Sequence, residues 1–145
     1  MKDVSGYLYA ARMTNQLATD IPEKIWDEKL ISELGSLKKL FLHMIRVRNV
    51  YADGLQTGVI AFPGKLPDAE NRLIEELERS SDNLAQVFTQ VVHNSIDFCG
   101  ECLSVDEMLA MAIQHEGIHQ GQYYVALKQY GFKLPQQWRQ DWSML

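Results

Sequence analysis

The sequence predicts an all-α protein, a four-helix bundle, and three observations carry that prediction. Apolar residues recur at three- and four-residue steps through four long stretches. Strand-like alternation is scarce, and all four prolines fall between the stretches rather than inside them. At 145 residues the chain suits one bundle domain spanning 1–145, long enough to bury a core without covalent staples. Its two cysteines are too few for a disulfide framework.

The first helix is expected from about Gly6 to Thr19, with Asp3 or Ser5 as its N-cap, and Asp20-Ile21-Pro22 breaks it. The connection from Pro22 to Ile31 carries Trp26, expected to pack over one end of the bundle. The second helix starts between Ser32 and Ser36 and ends near Gly58. Leu37, Leu40, Phe41, Met44, Val47, Tyr51 and Leu55 share one of its faces. Val59 to Pro67 reads as a loop of about ten residues. At ~3.3 Å per residue it is long enough to traverse the bundle, so a parallel crossover is allowed without being required. A third helix is expected to open at Asp68 as N-cap, with Glu70 suited to the positive end of the dipole. Its apolar stripe, Leu73 to Val91, is interrupted by Ser80 and Ser81, which leave room for a close neighbour. His93 to Leu103 reads as another connection. The fourth helix opens on Ser104 and Glu107, which have capping-box spacing, and runs to about Tyr130, where Gly131 and then Pro135 stop it. A tail follows with Trp138 and Trp142 four apart, suited to docking on the bundle or at a subunit interface.

A formal net charge of -5 and a pI near 5.3 argue against non-specific binding to nucleic acid or to an anionic membrane. No stretch approaches the ~18 to 20 apolar residues that span a bilayer. The opening MKDVSGYLYAARMTNQ lacks an apolar run followed by a small-residue cleavage site, so a cytoplasmic protein is expected.

The chemistry concentrates in HEGIHQGQ, residues 115–122. His115 and His119 are i and i+4, so both rings rise from one face of the fourth helix. By helical period they fall in the apolar stripe, among Met108, Ala112, Tyr123 and Ala126. Two imidazoles facing a core need partners, and one cation satisfies both; hydrogen-bonded core histidines are the plainer alternative. His43, between Leu40 and Val47 on the second helix, would complete a facial set of three nitrogens with positions left open. Catalytic metal sites have that pattern, whereas structural zinc sites are closed and thiolate-rich. A dipositive ion held by neutral ligands lowers the pKa of water to ~7 and deprotonates a thiol, so hydrolysis and thiol transfer both follow from it.

Two related motifs fail. HEGIH matches the zincin HExxH, but no Glu or His follows His119 to supply the third ligand. Glu116-x-x-His119 matches half of a di-iron site, and no second ExxH exists.

Several neighbours have two readings each. Glu116 is a candidate general base on the flank of the ligand pair, or a surface residue aiding solubility. Gln122, one turn on, would hold a ligand ring or a bound water, or simply pack. Arg48 interrupts the second helix's stripe and is expected to snorkel to the surface rather than bind a substrate carboxylate. Cys99 and Cys102 form a CxxC ahead of a helix N-terminus, but the βαβ context of a thioredoxin-like motif is missing, and loop packing is the expected role. His93 is expected to complement a helix C-terminus.

The second-helix segment LFLHMIRVRNVYADGL and the fourth-helix segment HEGIHQGQYYVALKQYG together resemble the DinB-like superfamily of metal-binding bundles. The resemblance spans nearly the whole chain and is strongest over residues 105–136. It implies up-down-down-up topology with a long crossover between helices two and three. It also implies three metal ligands, carried here onto His43, His115 and His119, for one divalent ion (zinc, nickel or iron), and often a homodimer. Some members transfer low-molecular-weight thiols such as bacillithiol, mycothiol or glutathione; many have no assigned activity. Relatives often carry Arg after the second helix-four His, where this chain has Gln120, so an anion-binding role at that position is not carried over. The expectation is a metal-dependent transferase or hydrolase acting on a small molecule. The alternatives are a non-catalytic, stress-associated metal-binding interaction protein and a bundle whose histidines bind nothing.

Overall fold

Four long helices dominate the computed structural model, which describes residues 2–69 and 71–142. They are α1 (Ser5–Asp20), α2 (Leu37–Thr57), α3 (Leu73–Gln90) and α4 (Val105–Gln129), followed by a short α5 (Gln136–Asp141). Among the described residues no helix is long and apolar enough to cross a membrane.

Local sequence sets most of the helix ends. Ser36 caps α2, its Oγ accepting from the Lys39 amide at 3.2 Å, and Gly58 ends it in the left-handed region that favours glycine. Ser104 and Glu107 form both halves of the expected capping box on α4. Asp3 Oδ1 accepts from the Ser5 amide at the start of α1. The start of α3 departs from expectation: Asp68 is not its N-cap, and the helix begins at Leu73 with no side-chain cap among the described residues. Ala69 is drawn into the core and Asn71 adopts a left-handed φ of 68°, so helical geometry cannot pass through this stretch. Glu70 lies outside the described residues.

The all-α expectation also needs correction, because a small three-stranded sheet closes one end of the bundle. Strand β1 (Val59–Ile60) pairs in parallel with β2 (Ser95–Phe98), and β2 pairs antiparallel with β3 (Glu101–Ser104). Both stretches read as connections because they are short. The hairpin nevertheless has a local cause. Ser95-Ile96-Asp97-Phe98 alternates, with Ile96 buried, and Cys99-Gly100 form a two-residue turn with φ of 54° and 92°. Two consecutive positive φ values are what a type I′ hairpin turn needs. Asp97 Oδ1 accepts from the Gly100 amide at 2.9 Å.

At that same end the C-termini of α2 and α3 lie side by side. The Asp97 amide donates to Gly58 O, and His93 Nε2 lies 3.0 Å from the Gln56 carbonyl at the end of α2. His93 therefore serves the end of α2 and not that of its own neighbour α3. After β1 the chain turns back alongside α2, anchored by Arg46 Nε donating to Gly64 O at 3.1 Å. Lys2 pairs with Asp106, tying the start of α1 to the start of α4.

The core is two apolar clusters with a polar layer between them. One cluster includes Met13, Leu17, Met44, Leu77, Tyr123 and Leu127; the other includes Tyr7, Ala11, Val47, Leu84, Phe88, Met108 and Ala112. Thr14, Arg48, Ser80, Ser81, Glu116 and Gln120 are buried between them. Trp26 covers one end, its ring edge-on to Phe41 and its Nε1 donating to Ile21 O. In the tail Trp138 is buried and donates to Met13 O at 2.7 Å, while Trp142 is exposed.

Candidate metal centre

Three histidines from two helices converge at the edge of the bundle. His43 projects from α2, and His115 and His119 from successive turns of α4. Their ring centroids are 5.1, 4.9 and 4.7 Å apart, and one ligand nitrogen from each lies within 4.8 Å of the others. His43 Nε2 and His115 Nε2 are 3.0 Å apart. His119 Nδ1 lies 2.9 Å from Gln122 Oε1, which leaves Nε2 as the atom free to ligate. A ring nitrogen donating to a side-chain oxygen in this way fixes tautomer and orientation.

The donor set suits a cation. Zinc–imidazole bonds of 2.0–2.1 Å put neighbouring nitrogens about 3.3 Å apart in a tetrahedron, and the His43–His115 pair, at 3.0 Å, is within a few tenths of an ångström of that spacing. The widest pair would close by roughly 1.5 Å, within the reach of ring rotation. All three imidazoles are held in the neutral, ligating form. Burial pushes His115 down to about 3, helped by His119 and His43; burial also lowers His43 and His119, the latter against the Gln122 hydrogen bond. Packing alone would force one Nε2–H to donate to the other Nε2, whereas a shared cation takes both lone pairs.

The surroundings are asymmetric. On one side a cavity of about 160 Å³ opens against His43 and His119, walled by Leu34, Leu40 and Tyr123, with Glu33 and Lys39 at its mouth. On the other side the Tyr51 ring lies 6.2 Å from His115 and continues into Phe62 and Phe98, an aromatic edge built by α2, the crossover segment and the hairpin. The sequence reading missed both features. The alternation of β2 and its Cys-Gly turn were the available signal for the second.

The surface reading of Glu116 and the snorkelling reading of Arg48 are both corrected by burial. The centre of the buried face of α4 belongs to Glu116 and Gln120, with the histidines at its border. Glu116 is 1% exposed and Arg48 2%, so Glu116 is no surface residue and Arg48 does not snorkel. Arg48 grips Glu116 Oε1 with both Nε, at 2.8 Å, and Nη2, while Glu116 Oε2 accepts from Thr14 Oγ1. Burial pushes the Glu116 carboxyl up, opposed by the Arg48 guanidinium. With its oxygens engaged toward α1 and α2, Glu116 is not in the three-histidine group. Gln120 likewise turns inward, donating to Ala10 O and Thr14 Oγ1. Cys99 and Cys102 are exposed free thiols of the hairpin.

The DinB family model matches residues 4–139. A DinB-like protein from Bacillus subtilis, YjoA, has a crystal structure similar to this one, with a TM-score of 0.73 and 22% identity. The match covers 91% of this chain and 94% of that one; at this identity the likeness concerns the fold. No match was found among curated proteins. Matched by its family's model over nearly its whole length, with the three imidazoles from α2 and α4 gathered at one point, this chain belongs to the DinB family.

Proposed function

We propose that this chain is an up-down-down-up bundle that holds one divalent ion on His43, His115 and His119. With that ion, zinc, nickel or iron, it acts as an enzyme on a small molecule, by thiol transfer or hydrolysis. The observation that carries the reading is the meeting of three neutral imidazoles on the open side of the bundle. The paired C-termini of α2 and α3 and the chain turning back alongside α2 support the helix directions.

Bound to three neutral ligands, a dipositive ion acidifies a thiol or a water placed in its open positions. The chain's own part is to hold and to shape. Gln122 orients His119. The cavity beside His43 and His119 admits a group of a few heavy atoms, with Lys39 and Glu33 placed to meet a charged or zwitterionic end. Tyr51, Phe62 and Phe98 offer an apolar wall on the His115 side. Glu116 is assigned to the ion pair with Arg48 and not to proton transfer. Exposure of His43 favours this reading over a closed, purely structural ion, whose ligand shell would exclude solvent.

Elemental analysis of untagged protein tests the ion, and cobalt substitution tests the chemistry. One equivalent of metal is expected. Addition of glutathione or bacillithiol to the cobalt form is expected to bring in a thiolate-to-cobalt absorption band. A protein that takes up no divalent metal overturns the site, and a cobalt spectrum indifferent to every thiol removes the transferase half of the reading.

A further inference from the structure

We propose that the buried Arg48–Glu116 pair is the positioning element of the three-histidine site, locking α2 and α4 in the register that brings His43 against His115 and His119. The inference rests on the metal reading only where metal affinity is its readout.

The pair occupies the right places in the chain. Arg48 follows His43 by five residues on α2, about 7.5 Å of helix rise, and Glu116 lies between His115 and His119 on α4. A slip of one helical turn is ~5.4 Å, more than the full 4.8 Å spread of the three ligand atoms, so the site exists in one register only. Apolar contacts do not select that register sharply, because burial is non-directional and α2 and α4 are the least intimately packed of the neighbouring long helices. Arg48 Nε and Nη2 both donate to Glu116 Oε1, and charge-assisted hydrogen bonds are short and directional, so they hold the two helices at one level.

Arg48 also references α2 to the other two helices at the same level. Its Nη1 donates to Asn15 Oδ1 of α1 at 3.0 Å, and to Leu77 O and Ser80 Oγ of α3 at 2.8 and 3.2 Å. Glu116 reaches α1 through Thr14. One pair thus ties all four long helices together beneath the site. A buried pair is weak evidence for stability, since apolar residues of similar volume often replace one at little cost; register is the role such a pair fulfils better than they do.

The test separates register from stability by replacing both partners at once, R48M/E116L, with Leu84→Ala, an apolar core residue of α3 that bonds to neither partner, as a control for simple destabilisation. Chelator-treated protein is examined by NMR for ring-to-ring contacts between His43 and His115 and between His43 and His119; zinc affinity is then measured by competition with a chromophoric chelator. R48M/E116L is expected to keep its helical spectrum, lose the cross-helix ring contacts and bind zinc at least tenfold more weakly. Leu84→Ala is expected to keep both properties. Should the double variant fail to fold, Glu116→Gln takes its place, with weakened ring contacts and at least threefold weaker zinc binding expected. Ring contacts as strong without the pair as with it overturn the inference, as does their absence from the parent. Contacts that depend on the pair in a parent that binds no zinc sustain the inference and overturn the metal reading instead.

Discussion

Replacing Arg48 alone by Met should be among the most damaging single changes in this protein. The substitution keeps the apolar stem and removes the guanidinium, leaving Glu116 at 1% exposure with Thr14 as its one remaining partner among the described residues. Asn15 Oδ1 and Ser80 Oγ lose a donor at the same time. Breaking one side of a buried pair costs about 3–5 kcal/mol, against a total stability of about 5–15 kcal/mol for a domain. The melting temperature should therefore fall by roughly 10–16 °C. The loss should also depend on pH. Burial already holds the Glu116 carboxyl above its ordinary 4.5, and removing the guanidinium takes away the largest opposing influence. The folded variant then binds a proton that the unfolded chain releases, so its stability is fullest below 4.5 and declines as pH rises through the folded-state value. Urea unfolding of parent and variant at pH 5 and pH 7 measures both effects. The deficit should be smaller at pH 5, and adding Glu116→Leu should recover most of it at pH 7. A single variant within 1 kcal/mol of the parent at both pH values would refute the reasoning.

Further outcomes follow from other parts of the structure. His115→Ala and His119→Ala should each abolish stoichiometric metal, while His93→Ala, which alters only the end of α2, should keep it; elemental analysis decides. In metal-free protein His115 is depressed to about 3, so its contribution is complete above 6.5 and lost as pH falls toward 3. The drop in melting temperature between pH 7 and pH 5 should therefore shrink in His115→Gln. Tyr7 has a buried hydroxyl without a hydrogen-bond partner among the described residues, and Tyr7→Phe should stabilise the fold by about 1 kcal/mol in urea titrations. Gly54→Ala would set a Cβ 2.2 Å from Ile60 Cδ1 and 3.1 Å from Val59 O, so a loss of about 1–3 kcal/mol is expected where β1 crosses α2.

Much of the candidate site was legible without coordinates because its signal is local. His115 and His119 share a helix, so period alone puts their rings together; capping residues and prolines act within a few positions of where they stand. The three-stranded sheet was missed because strands of two and four residues barely register against four long helices, although the Cys99-Gly100 turn carried its mark. The opening of α3 was misplaced because Asp68 has a capping side chain, while the pull of Ala69 into the core is not written in its neighbours.

By itself the sequence determined where four helices could form, which faces of them are apolar, and that two imidazoles would stand together on the last. The tertiary structure alone decided that His43 meets that pair, that Glu116 turns away from it into the core, and that Arg48 is buried instead of reaching for solvent. The physical reason is that a charged side chain on a helix has no fixed fate of its own. Burial is ruinous for it alone and tolerable beside an opposite charge, and the opposite charge here lies 68 residues away in the chain.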